Sequence, residues 1–213
     1  MKDYQKDFIE LAIRADSLQF GSFTLKSGRS SPYFYNSGSI YKGEELRMLG
    51  DCYARAIQDQ SISFDMLFGP AYKGIGLVHC ASISLSQLFN QNVPIAFNRK
   101  EQKDHGESGS IVGSDLKGNV LIIDDVITAG TAIRESIEII NLHGANPVGI
   151  CVALDRQERG LKSNLSAIQE IEKEFSLPVY SIINLSHLLD YFDDRDQAIS
   201  DSIAVYKDRY GVS

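Results

Sequence analysis

Cysteine is scarce in this sequence: Cys52, Cys80 and Cys151 are the only three, and no two form a CxxC pair. An odd, scattered set fits neither a disulfide framework nor a zinc site. All three are expected to be free thiols, buried or half-buried, in a reducing compartment. No stretch approaches the ~20 consecutive apolar residues needed to cross a bilayer. The opening MKDYQKDFIELAIRAD is charged throughout and lacks the apolar stretch of a secretory signal. A soluble, cytoplasmic protein without membrane contact is the expectation. Basic charge is in deficit, 21 Lys and Arg against 28 Asp and Glu, for a net −7. That balance argues against nucleic acid as a default partner, because phosphate backbones attract basic faces. Internal repeats and low-complexity linkers are also missing.

What remains is ordinary globular material, 43% hydrophobic and 23% charged over 213 residues. A chain of this size can bury roughly 70% of its unfolded surface without a metal or disulfide. One decorated domain is expected, with an N-terminal hood over residues 1–60, an α/β core over 61–183 and a helical tail over 184–213.

Apolar spacing predicts an amphipathic helix over residues 3–15, through Phe8, Leu11, Ala12 and Ala15. Residues 19–37 alternate aromatic and small polar side chains around Gly28 and Pro32, which predicts two short strands and a turn. Helical spacing returns from Gly43 to Gln60. Then strands and helices alternate: strands at Asp65–Phe68, Val93–Phe97, Val120–Ile123, Pro147–Leu154 and Val179–Ile183, helices at 74–89, Thr131–Leu142 and Ser166–Phe175. Residues 98–118 are polar and Gly-rich and read as one long loop. The tail from Leu185 to about Arg209 reads as helix. Alternation of this kind, with near-continuous apolar strands, predicts an open, doubly wound, mostly parallel sheet covered on both faces. Ligands bind such sheets at the carboxyl ends of the strands. These ends lie at Gly69–Gly74, from Asn98 onward, at Asp124–Thr131 and at Asp155–Arg156.

Residues 120–132, VLIIDDVITAGTA, are the most informative stretch. A buried strand runs into two adjacent acids, then into a loop of small and β-branched residues with one glycine, then into a helix. Free N–H groups at a helix N-terminus attract phosphate through the helix dipole and their unmet bonding capacity. Hydroxyls at Thr128 and Thr131 add donors without bulk. An Asx cap at a plain strand-to-helix turn would explain one Asp and the Gly. It leaves the second Asp and the rest of the loop unexplained, and two acids beside an anion site suit sugar hydroxyls, a Mg2+ ion or a developing cation. Competing phosphate motifs fail: GPAYKG (69–74) has no Ser or Thr after its lysine, and Gly74-Ile75-Gly76 lacks a third glycine.

These thirteen residues resemble the PRPP-binding signature of the type I phosphoribosyltransferases, where PRPP is the activated ribose phosphate donor. FTLKSGRSSPYFYN (23–36), FGPAYKGI (68–75), FNRKEQKDHGE (97–107) and LDRQERG (154–160) are similar, in order and spacing, to the orotate-using bacterial branch of that family. The resemblance covers nearly the whole chain. It implies transfer of a 5-phosphoribosyl group from PRPP to orotate in pyrimidine synthesis, through an oxocarbenium-like transition state, with Mg2+ as cofactor. A homodimer is implied, with the 99–109 loop shared across its interface. A purine-base transferase and a non-catalytic PRPP sensor are the alternatives.

Carried onto this sequence, the resemblance makes Lys103, His105, Asp124 and Asp125 the catalytic candidates. It assigns PRPP to these residues and to Lys26, Tyr72, Lys73, Arg99, Lys100 and the loop Val126, Ile127, Thr128, Ala129, Gly130, Thr131 and Ala132. Orotate falls to Phe34, Tyr35, Thr128 and Arg156. Magnesium would arrive on PRPP, with water-mediated help from Asp124 and Asp125 and no direct protein ligand assigned. Composition alone reads the 99–107 charge run as a solvated face, but clustered cations and glycines in an acidic chain also suit a lid. Arg156 can meet a carboxylate bidentately, with a salt bridge to Asp155 or Glu158 as the plain alternative. Strand alternation predicts that one of Phe34 and Tyr35 faces the core. His79, His143 and His187 are expected to be structural or surface residues.

Overall fold

The structure is a computed structural model that describes residues 1–25, 27–100, 110–161 and 163–212. Helix α1 (Asp3–Arg14) opens the chain and buries Phe8, Leu11 and Ala12, an i, i+3, i+4 stripe. Strands β1 (Leu18–Thr24) and β2 (Ser30–Tyr35) form an antiparallel hairpin with Leu18 opposite Tyr35. A 3-10 turn at Ser37–Ser39 leads to α2 (Gly43–Asp59). The core follows as β3 (Met66–Gly69), α3 (Lys73–Phe89), β4 (Ile95–Asn98), β5 (Ile111–Gly113), β6 (Asn119–Asp124), α4 (Thr131–Leu142), β7 (Asn146–Asp155), α5 (Ala167–Phe175) and β8 (Val179–Asn184). Helices α6 (Leu185–Phe192) and α7 (Gln197–Tyr210) close it.

Six strands make the main sheet in the order β5-β4-β3-β6-β7-β8. All neighbours run parallel except β5, which pairs antiparallel with β4 at the edge. The expected doubly wound sheet is thus present. Its central strand shows why the VLII run is apolar throughout. Leu121 and Ile123 enter one core with α1, α2, α3, α6 and α7, while Val120 and Ile122 enter a second core with α4 and α5. All four are fully buried, as a strand covered on both faces requires. Each such side chain stabilises the fold by about 1.5–3 kcal/mol relative to its exposed state.

Beyond shifts of one or two residues at the ends of several elements, the main differences from the sequence expectation lie in β5 and the tail. β5 lies within the stretch read as loop, because its pairing of Val112 with Phe97 is a tertiary contact that no local periodicity announces. The tail is two helices. Asp196 interrupts it by accepting a hydrogen bond from the Ile199 amide at 3.1 Å, the cap of a new helix. β3 begins one residue later than expected and includes Gly69.

The order of strands sets the site. After β3 the chain passes to β4 on one side, and after β5 it returns to β6 on the other. β3 and β6 are therefore neighbours whose following helices lie on opposite faces, the switch point at which open sheets bind ligands. Gly69, Asn98, Asp124 and Asp155 end adjacent strands along one edge.

Candidate functional site

At the end of β6 the backbone is pinned from both sides. The hydroxyl of the fully buried Tyr53 donates to the Asp124 carbonyl at 2.8 Å. The Asp125 carbonyl accepts from the amides of Ala153 and Leu154 at 2.9 and 3.3 Å. The two carboxylates are then held differently. Among the described residues, Asp124 Oδ1 accepts only the adjacent Asp125 amide, at 2.9 Å. Asp125 Oδ1 accepts the Val126 amide at 2.9 Å, while its Oδ2 takes both Ser37 Oγ and Lys73 Nζ at 2.7 Å. Both residues are largely enclosed, with 8% and 5% exposure. Burial first, and the neighbouring Asp125 charge second, push the Asp124 carboxyl up to about 7.

Beyond the acids, Ile127 is anchored in the second core while Thr128 and Ala129 are exposed. Gly130 has φ +74 and forms the N-cap of α4. Left-handed backbone at this point is available to glycine at little cost. Among the described residues no side chain caps this N-terminus, and no acid lies in its first turn. The leading amides of α4 therefore keep their bonding capacity at the positive end of the helix.

The turn after β3 presses against this junction. A Cβ on Gly74 would lie 2.6 Å from Pro70 Cδ and 3.0 Å from the Ile123 carbonyl oxygen, and one on Gly69 would overlap the Gly74 carbonyl. The Ala71–Tyr72 peptide is cis, and the Ala71 amide donates to Asn98 Oδ1 at 2.8 Å. Tyr72 is 70% exposed, and Lys100 Nζ lies 5.6 Å from its ring centroid. The Arg99 amide donates to the Ser110 carbonyl at 2.7 Å. Lys73, at the start of α3, turns its ammonium to Asp125.

At the end of β7, Arg156 is mostly buried. Its Nε and Nη2 meet Glu158 Oε1 at 2.8 and 2.5 Å, and its guanidinium lies 4.6 Å from the Tyr33 ring centroid. The plain salt-bridge alternative is thus realised with Glu158, whereas Asp155 accepts the Gln157 amide at 2.8 Å. Arg156 Nη2 also approaches Ser31 Oγ at 3.4 Å. Phe34 is 40% exposed and stacks on Phe23 with centroids 5.7 Å apart. Tyr35 is the member of the pair that faces the core: it is 8% exposed and its ring packs on Phe8 with centroids 6.1 Å apart. Strand alternation sends Phe34 and Tyr35 to opposite sides.

Sequence reasoning missed Ser37 and Tyr33. Ser37 and Ser31 bracket the segment that carries Phe34, so β2 and the turn after it reach both Asp125 and Arg156. Lys26, Lys103 and His105 lie outside the described residues. His79 and His143 bond to carbonyls one turn back, at 2.6 and 2.8 Å, and His187 belongs to the cap of α6, so all three are structural as expected. Cys52 and Cys151 are buried free thiols, each pushed up to about 12 primarily by burial, and Cys80 is half-buried. Among the described residues no helix is long and apolar enough to cross a membrane, and no group of three or more metal-binding side chains occurs.

A family model described as the phosphoribosyl transferase domain matches residues 36–181. The chain is 55% identical over 213 residues to an orotate phosphoribosyltransferase of Ruthia magnifica, and 52% identical over 216 residues to one of Pseudoalteromonas translucida, with all of each chain covered. A crystal structure of an orotate phosphoribosyltransferase from Francisella tularensis superimposes with a TM-score of 0.87 at 41% identity, covering 96% of this chain and 98% of that one. An adenine phosphoribosyltransferase of Leishmania tarentolae has a TM-score of 0.54 at 16% identity, a likeness of fold alone.

Proposed function

Because the chain belongs to the phosphoribosyltransferase family, and within it to the orotate phosphoribosyltransferases, we propose that it joins orotate to the ribose phosphate of PRPP, giving orotidine 5'-monophosphate and pyrophosphate. It is an enzyme of the pentosyltransferase class, and its product serves pyrimidine synthesis. One observation carries the assignment of roles. The paired acids and the N-terminus of α4, which no described side chain caps, follow β6, and the mostly buried Arg156 follows the adjacent strand β7 on the same sheet edge.

The α4 amides and the Thr128 and Thr131 hydroxyls hold the 5-phosphate. Asp124 and Asp125 hold the ribose hydroxyls and oppose the positive charge that grows on the ring as the C1–oxygen bond breaks. Lys73 leaves Asp125 for the departing pyrophosphate, joined there by Tyr72, Arg99 and Lys100. Family resemblance adds Lys103 and His105 from the loop, and Lys26 on PRPP. Loop closure excludes water that would otherwise capture the cationic ring. Arg156 takes the orotate carboxylate beside Phe34.

The donor set fits a magnesium ion that rides on the substrate. The two carboxylates suit water-mediated contact with it. Such an ion supplies charge neutralisation at the leaving group. The active form is a homodimer with the 99–109 loop shared between protomers, each chain one domain with hood, core and helical tail.

Mixing the protein with PRPP, Mg2+ and orotate and following orotate absorbance tests the assignment. Loss of absorbance that requires PRPP is expected. No loss with orotate, but product with adenine or hypoxanthine, would replace it with the purine reading.

A further inference from the structure

A loop that binds an anion through its amides has a difficulty of its own. Its carbonyls are as numerous as its amides, and any that face the anion oppose it. Ala129, exposed like Thr128 before it, lies between the anchored Ile127 and the buried Gly130 that opens α4. Its carbonyl accepts a hydrogen bond from Arg134 Nη1 at 2.8 Å. The other edge of the same guanidinium is fixed. Nε and Nη2 meet Glu174 Oε2, on α5, at 2.9 and 2.7 Å. Gly130 rests on the same support: a Cβ there would stand 2.7 Å from Arg134 Nη1 and 3.0 Å from Ile171 Cδ1. The Arg134 amide also donates to the Gly130 carbonyl at 3.0 Å, the first turn of α4. A second loop carbonyl is thereby engaged.

We propose that Arg134, held by Glu174, is a positioning residue for the phosphate-binding loop. It draws the Ala129 carbonyl away from the anion and fixes the left-handed turn at Gly130 from below. The proposal rests on the reading of this loop as the 5-phosphate cradle. The Arg134–Glu174 pair is partly exposed, and pairs of that kind add little to global stability. Its effect belongs in what it orients. A planar guanidinium suits the task because it can bond the loop carbonyl with one arm while a carboxylate grips the opposite edge.

The test uses the full-length protein and four readouts: KM for PRPP, KM for orotate, ribose 5-phosphate affinity by calorimetry, and melting temperature. Arg134→Ala should raise KM for PRPP and weaken ribose 5-phosphate by roughly tenfold, the range of a lost charge-assisted hydrogen bond. The orotate KM and the melting temperature should hardly move. Arg134→Lys keeps one donor for the Ala129 carbonyl and should recover most of the affinity. Glu174→Gln should give a smaller rise in the same direction. Unchanged PRPP KM and ribose 5-phosphate affinity in Arg134→Ala would overturn the proposal. So would equal rises for both substrates together with a lowered melting temperature, the pattern of general damage. Failure of the unmodified protein to bind ribose 5-phosphate is a separate result, which removes the cradle reading and this inference with it.

Discussion

At the proposed sugar-phosphate end of the site, residues 120–132 supply strand, paired acids, loop and helix start in one unbroken run. At the base end, Ser31, Tyr33 and Phe34 come from β2, Arg156 and Glu158 from the end of β7 and just beyond, and Tyr206 from α7. The phosphate site proposed at the first end rests mainly on main-chain groups: the α4 amides, the Ala129 carbonyl bonded to Arg134 and the left-handed Gly130. The second works through side chains that hold one another. Tyr33 donates to Glu158 at 3.4 Å, Arg156 lies over the Tyr33 ring, and Tyr206 meets that ring edge-on at 6.1 Å. Burial first holds the Tyr33 phenol well above its usual range, so it stays a neutral donor. A main-chain site depends on local conformation and on its bracing. A side-chain network depends on every member, because each partner left behind is a buried polar group without its bond.

The largest effect is expected where the two ends meet. Asp125 takes Ser37 from the turn after β2 and Lys73 from α3 on a single oxygen. Asp125→Asn keeps the shape and removes the charge that opposes the cationic ring. Turnover should fall about 100-fold or more, the scale of losing one preorganised electrostatic contact. Steady-state kinetics and a melting curve check it. Unchanged turnover with a large loss of stability would make Asp125 a structural hub and remove the chemistry from this end.

A more selective effect is expected at Arg156. Arg156→Ala should raise KM for orotate by roughly 10- to 100-fold, corresponding to about 1.5–3 kcal/mol for hydrogen bonds to a charged group. The PRPP KM should stay within about twofold. Equal losses for both substrates would break the comparison, because they would show that the base network also shapes the phosphate cradle. The direction for orotate is decided by geometry. Glu158 occupies the Nε edge of the guanidinium, and stacking on Tyr33 sets its plane.

The same contrast explains what could be read from the sequence. α4 has the expected bounds, Thr131–Leu142, and β6 extends the expected VLII run by one residue on each side. Both are encoded locally, by an apolar run long enough to cross a sheet and by a helix start marked with Gly130. The loop proposed as an anion cradle lies between these two elements and is local in the same way. At the base end, Arg156 was visible as a cation past a strand end, but its surroundings were not. Tyr33 and Arg156 are 123 positions apart, and nothing near either announces the other. That one of Phe34 and Tyr35 faces inward is legible from strand alternation, but an aromatic pair does not say which member it is. Ser37 escaped notice because a serine in a polar turn is unremarkable until the fold brings Asp125 to it. β5 was lost in a polar stretch because a short edge strand depends on its neighbour for definition.

The smallest effect expected is one of folding, and it sharpens the claim that the phosphate end is locally determined. The Asp124 carboxyl rises from 3.8 to about 7, through burial first and the Asp125 charge second. A raised acid means that the native state holds its proton more tightly than the unfolded state. Stability must therefore fall as pH rises through the window from about 4 to 7, and the penalty levels off above it. Between pH 6 and 7 the unfolded carboxyl is ionised throughout, while the native one goes from mostly protonated to half ionised. At no more than 1.36 kcal/mol per pH unit, the loss over that step is roughly 1 kcal/mol, or about 2–4 °C in Tm. Asp124→Asn cannot ionise, so its melting temperature relative to the unmodified protein should climb by that amount across the step in ligand-free protein. Asp125→Asn should flatten the unmodified trend by removing the neighbouring charge, and Arg156→Ala should leave it alone. A trend that followed Arg156 instead would mean that the acids sense the base network directly, and the two ends would then be one electrostatic unit.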